Sequence, residues 1–197
     1  MKRVIKSPTS QIIIQNLTYR VNGNNSRLGN LLLTEQKGFC AYTEQYIGFD
    51  DANDIEHFNP NLKGNPADNY YNWYKVKHLP NQRKTDNWLQ PILMPFEEDF
   101  ENRVMYFEGE FFARPEDNDA NNLIILLDLN NQKRVEDRKN YIKRRKEAIN
   151  DRKLTTKEQI INYFQDKIDN EIKSISYLRA IQEEFGIDIW NMIPQPQ

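Results

Sequence analysis

The sequence predicts an α+β fold in which a small strand-containing core is followed by a β-hairpin and a predominantly helical C-terminal part. Three observations predict it. Aromatic and β-branched residues, interrupted by Gly48 and a cluster of Asp and Asn, run from Cys40 to Phe58. Residues 103–112 read as two strands around Glu108-Gly109, a hairpin-turn pair. Beyond Pro115, apolar residues recur mostly at three- and four-residue steps.

Ser26 is placed to cap a short helix through Leu28, Leu31, Leu32 and Glu35, with Gly38 as its stop. Short strands around a polar loop are expected between Cys40 and Phe58, and the segment from Asn72 to Val76 leads into a helix carrying Asn81 and Lys84. After the hairpin, helices are expected at 119–127, at 132 to about 150, and at 155–185. Thr155 with Glu158 reads as a capping box for the last, and Gly186 as its end. That helix carries an apolar stripe, including Ile160, Phe164, Ile168, Ile175 and Ile181, which must bury against something. Internal packing is the first expectation and a partner helix the second; on the second, charged substitutions at Ile168 or Ile175 release a partner without unfolding the chain. The organisation expected is an N-terminal segment over 1–37, a core over 38–90, and the hairpin with the helical part over 91–197 as the partner-docking region, residues 155–185 and then 131–150 supplying much of that contact.

Composition excludes several classes. The chain has 197 residues, enough for a sizeable core, and its 12% aromatic content argues against disorder although 28% of residues are charged. A single cysteine, Cys40, rules out an internal disulfide framework and a cysteine-cluster zinc site within one chain; it reads as a small core residue. No apolar run approaches a membrane span or a signal peptide, so a cytoplasmic protein is expected. The net charge of −2 hides two basic islands, an excess of +3 over residues 59–88 and of +6 over residues 131–153. Such islands suit a polyanion, although a solvated helix face explains the second equally well.

The stretch that carries chemistry is Asp54-Ile55-Glu56-His57-Phe58-Asn59-Pro60, with Asn72 fifteen residues after His57 and Asn81 nine further on. Hydrolysis of a phosphodiester needs a water deprotonated near neutral pH and a divalent cation to stabilise charge on the phosphate and the leaving oxygen. His57 can serve the first need, and the oxygens of Glu56 and Asn81 the second. A lone Glu-His pair is more often a surface ion pair; the two Asn residues at these intervals give this one its weight. Asp54 is a further candidate ligand on the same strand face, and His78 reads as a surface residue.

These residues, with Asn69-Tyr70-Tyr71-Asn72-Trp73 and Pro80-Asn81-Gln82-Arg83-Lys84, resemble the HNH endonuclease superfamily with its ββα-metal fold. The likeness is nearest to the PtuB-type HNH subunits of Septu anti-phage systems and covers roughly residues 38–150, including Leu127-Asp128-Leu129-Asn130 and Arg138. It implies His57 as general base, its ring held by a backbone carbonyl, and Asn72 as a catalytic-site residue that fixes the motif through backbone bonds. Glu56 and Asn81 are the implied ligands of one magnesium or manganese ion. Lys63, Arg83 and Lys84 are the implied nucleic-acid contacts, DNA before RNA, and an ATPase of the PtuA type the implied partner. Of the four cysteines usual in the zinc knuckle of such proteins only Cys40 is present; Thr43, Lys77 and Pro80 stand at the other positions. No structural zinc is therefore expected, and packing by Tyr42, Trp73, Tyr74 and Leu79 is expected in its place. The alternative function is a catalytically silent module that keeps the fold and binds nucleic acid or a partner.

Overall fold

The computed structural model describes residues 1–84 and 87–195, apart from the side chain of Arg83. In chain order the elements are α1 (Gln11–Ile14), α2 (Ser26–Glu35), β1 (Asn53–His57), β2 (Trp73–Lys77), α3 (His78–Lys84), α4 (Phe100–Arg103), β3 (Val104–Phe107), β4 (Glu110–Ala113), α5 (Asn118–Leu126), α6 (Gln132–Asp151), α7 (Lys157–Glu171), α8 (Leu178–Phe185) and α9 (Ile189–Met192). The fold is α+β, with two separate antiparallel strand pairs, β1 with β2 and β3 with β4.

The first strand pair positions the candidate site. Its register sets Glu56 opposite Tyr74 and Asp54 opposite Val76 on one face, and His57 opposite Trp73 and Ile55 opposite Lys75 on the other. Helix α3 follows β2 directly and covers the first face, where His78 and Asn81 meet Asp54 and Lys84 meets Glu56. Helix α2 covers the second. Gly29 lies against Ile55 and Lys75, and Leu28 and Leu32 form a cluster with Trp73, Tyr70 and Ile12. The edge of β2 is closed by Gln36, whose amide accepts from Lys75 N at 2.7 Å and donates to Lys75 O at 2.7 Å. An edge strand satisfied in this way offers no free ladder to another chain.

Helix α2 begins at Ser26 itself, so Ser26 is its first residue and not its cap; Asn25 precedes it and spends its side chain on the backbone of Arg20. The expected stop holds: Gly38 has φ +87°, and a Cβ there would come within 2.7 Å of the Tyr46 ring. Between Cys40 and Phe58 there is one strand, β1, and two isolated bridges leave the segment, from Tyr46 to Phe39 and from Gln45 to Ser176. The hairpin turns at Glu108 and Gly109, both at positive φ, as its two-residue turn requires.

The expected helix over 155–185 is instead two. α7 ends at Glu171, a short 3-10 turn covers Ile172–Ser174, and α8 starts at Leu178. Non-local bonds break it. Ser176 bridges to Gln45, Tyr177 N donates to Glu44 O at 3.0 Å with Tyr177 at φ +57°, and Arg145 donates to Ser174 O at 2.9 Å. The capping box is also displaced by one residue, to Thr156 and Gln159.

The apolar stripe is internal. Phe164, Ile168, Ile175 and Ile181 are 0–4% exposed in a cluster with Tyr141, Ile142 and Ile149 of α6 and with Phe39. Ile168 and Ile175 are therefore not exposed docking positions, because α6 and α8 already cover them. A further cluster joins Phe58, Tyr74 and Val76 to Leu93, Phe100, Phe111 and α5, tying the first strand pair to the hairpin. No helix among the described residues is long and apolar enough to cross a membrane.

Candidate functional site

At the C-terminal end of β1 two adjacent side chains leave the strand on opposite faces, and each meets its own polar group. On the α2 side His57 is 4% exposed, with Nε2 3.0 Å from Asp68 Oδ2. The contact does not meet hydrogen-bond geometry, so Nε2 faces the carboxylate without a hydrogen-bond partner. Tyr19 stands edge-on to the imidazole, centroids 4.4 Å apart at 87°, and exposed Lys63 lies 5.9 Å from the Tyr19 ring. Burial pushes the His57 pKa below its usual value; Asp68 opposes the shift and Lys63 adds to it. A neutral imidazole at neutral pH is the form a general base requires. Its nearest partner is the Asp68 carboxylate, where a backbone carbonyl was expected.

Asp68 is a hub that spacing alone does not mark. Its Oδ1 accepts from Asn72 Nδ2 at 2.8 Å and from Trp73 Nε1 at 2.8 Å, while Oδ2 faces His57. Asn72 in turn clamps the loop after β1: its Oδ1 accepts from Asn59 N at 2.7 Å, its Nδ2 donates to Asn59 O at 3.1 Å, and its carbonyl accepts from Phe58 N at 2.8 Å. It is 4% exposed, spends its side chain on backbone and on Asp68, and points at no cation position. The only hint of Asp68 in the sequence is its place at the head of the Asn69–Asn72 turn.

On the α3 side lie two carboxylates. Glu56 is 7% exposed, its Oε1 2.8 Å from Lys84 Nζ and 3.5 Å from the Tyr42 hydroxyl. Burial raises the Glu56 pKa, and Lys84 and the Tyr42 hydroxyl work against the rise. Asp54 Oδ2 lies 2.7 Å from His78 Nδ1 and accepts from Asn81 Nδ2 at 3.0 Å. Glu56 and Asn81, the two expected ligands, thus lie on the same strand–helix interface but pair with different groups, and Asp54 is the acid that touches Asn81. His78 is on the surface, as expected.

Lys84 is not at the surface. It is 2% exposed, so a direct phosphate contact by its ammonium does not match this conformation; its charge is spent on Glu56, and it also donates to His57 O at 3.4 Å. Arg83, the third expected nucleic-acid contact, has a side chain outside the described residues. In the second basic island Arg134 donates to Leu127 O and Asp128 O, buried Arg138 to Gly109 O and Leu129 O, and Arg145 to Ser174 O. Arg144-Arg145-Lys146 is consequently not a uniform patch. Arg144 is exposed, whereas Arg145 holds the α7–α8 break and Lys146 pairs with Glu184 at 2.7 Å.

Around the expected knuckle, Cys40 is buried and its Sγ accepts from Lys77 N at 3.3 Å. Tyr42 and Tyr74 are buried in one cluster with Cys40, whereas Trp73 is buried on the other face against α2, and Leu79 is 58% exposed because it sits on the outer side of α3. Thr43, Lys77 and Pro80 line a cavity of about 450 Å³ between α3 and the first turns of α6.

The donor set on the α3 side is chemically that of a hard divalent cation: two carboxylates and an amide oxygen. Among the described residues, no three of His, Cys, Asp and Glu gather as a ready-made cage, and Asn81 meets Asp54 through its Nδ2. No protein-family model, curated protein or solved structure matches the chain.

Proposed function

We propose that the chain is a metal-dependent HNH endonuclease that hydrolyses phosphodiester bonds in nucleic acid, DNA in preference to RNA. The observation that carries this is the order β1–β2–α3 with Glu56 and His57 at the end of β1, Asn81 on the helix laid over that strand, and Asn72 clamping the loop between. His57, kept neutral by burial, is the base for water; Asp68 and Tyr19 orient it. Glu56 and Asn81, joined by Asp54, would hold a magnesium or manganese ion, whose chemistry when bound is to stabilise charge on the phosphate and the leaving oxygen. Lys63 and exposed cations of α6, such as Lys139 and Arg144, suit the backbone phosphates. A role as effector of an anti-phage complex with an ATPase rests on the family resemblance. With the α7–α8 stripe buried, a partner has to engage another surface.

The second reading, a silent HNH-fold binding module, is favoured by one observation. His57 is only 4% exposed beneath Tyr19 and Asp68, so substrate reaches it only if that cover moves. Magnesium- or manganese-dependent nicking of plasmid DNA, with His57→Ala as control, separates the two.

A further inference from the structure

On the α3 face of β1 two carboxylates are served by one directly paired ammonium, with Lys75 acting on Asp54 only at longer range. Asp54 and Glu56, two residues apart on one strand face, lie about 7 Å apart along the chain. One ammonium, from Lys84, lies against Glu56; His78 and Asn81 meet Asp54 without a fixed positive charge. Lys84 and Glu56 side chains are 1% and 8% exposed. A pair this buried is held by its own Coulomb attraction against a large desolvation cost, and removing either partner strands the other.

Resting on the proposed metal-dependent reading, we infer that Lys84 is the resident counter-cation of this site, and that a divalent cation binds only by displacing its ammonium from Glu56. An ammonium and a hard dication compete for the same carboxylate oxygen, and the two cannot share it without like-charge repulsion. Exchange of one positive charge for two places more charge against Glu56, the carboxylate whose neighbouring cation is Lys84, while Asp54 also feels Lys75 across the strand. Lys84 stands on the last turn of α3 at the end of a flexible stem, so its head can leave without the helix unwinding. Displaced from Glu56, the ammonium would be available to a substrate phosphate. The buried ion pair and the phosphate contact expected from the sequence are then two positions of one residue.

The test uses the full chain and manganese and magnesium chlorides alone, read by calorimetry and by thermal unfolding, with no activity measured. Lys84→Met, which keeps the stem and removes the charge, is expected to bind manganese at least about tenfold more tightly than wild type and to gain more Tm on its addition. Glu56→Gln is expected to lose binding in both backgrounds. Equal affinities in wild type and Lys84→Met overturn the competition and leave the metal site standing; absence of binding in both overturns the site as well. Should Lys84→Met fail to fold, the wild type decides the matter through the side-chain ammonium resonance of Lys84, assigned by its loss in Lys84→Arg. Saturating magnesium is expected to shift that resonance or exchange it away, and magnesium binding that leaves it unmoved overturns the inference.

Discussion

Removal of the Asp68 carboxylate is the perturbation that most sharply probes how the site is held. In Asp68→Ala the Trp73 indole N–H loses its acceptor at 2.8 Å, Asn72 Nδ2 keeps only Asn59 O, and His57 loses its facing charge at 3.0 Å. Trp73 is 2% exposed, so water does not replace the lost partner. A buried donor left unpaired costs about 1–3 kcal/mol, and each hydrogen bond to a charged acceptor contributes about 1.5–3 kcal/mol. Relief of the desolvation of Asp68 itself offsets part of this, leaving a loss of about 3 kcal/mol. Asp68→Asn retains one oxygen for Trp73 and is expected to cost about 1 kcal/mol. Urea unfolding followed by tryptophan fluorescence measures both; at a slope of about 2 kcal/mol per molar, Asp68→Ala lowers the midpoint by about 1.5 M. A midpoint within about 0.3 M of wild type refutes the hub, because a buried indole N–H cannot lose its acceptor at no cost.

Three further outcomes are expected. Ile168→Asp, 4% exposed among Tyr141, Ile149 and Phe164, should unfold or severely destabilise the chain, by about 4 kcal/mol or more, and not release a partner from a folded chain; circular dichroism distinguishes the two. Arg145→Glu should destabilise by about 2–3 kcal/mol through loss of the Ser174 O bond, whereas Arg144→Glu should leave the urea midpoint unchanged and weaken nucleic-acid binding in a salt-dependent manner. Because burial holds His57 below its unfolded value of about 6.5, the unfolded chain takes up the proton more readily. Stability on this account is fully present above about pH 6.5 and lost as pH falls, so between pH 7.5 and pH 5 wild type should lose more stability than His57→Gln; equal losses contradict it.

How much of this was legible in the sequence follows from the range of the forces involved. The hairpin at Glu108-Gly109, α5 and α6 are set by local turn chemistry and periodicity, and they lie where those signals place them. The helix expected over 155–185 carries the same periodicity, but Glu44, Gln45, Tyr141 and Arg145 supply its backbone with better partners around Ser174–Tyr177. Nothing local announces contacts from Tyr141 and Arg145 on another helix, or from Glu44 and Gln45 in the N-terminal part of the chain. Spacing was sufficient to place Glu56, His57, Asn72 and Asn81 around one strand–helix unit, because strand and helix geometry convert intervals into positions. It could not find Asp68, Tyr42 or Tyr19, which reach the site through loops. It could place Lys84 one turn beyond Asn81 but not show which way its ammonium turns, because that depends on the buried Glu56 carboxylate on β1.

The nuclease assignment is tested most directly by nicking of supercoiled DNA by the full chain in magnesium or manganese, comparing wild type with His57→Ala. Wild type is expected to nick in a manner stopped by a chelator that leaves the fold intact, and His57→Ala to bind the DNA equally well while cutting at least about a hundredfold more slowly. His57→Ala cutting as fast as wild type contradicts the assignment.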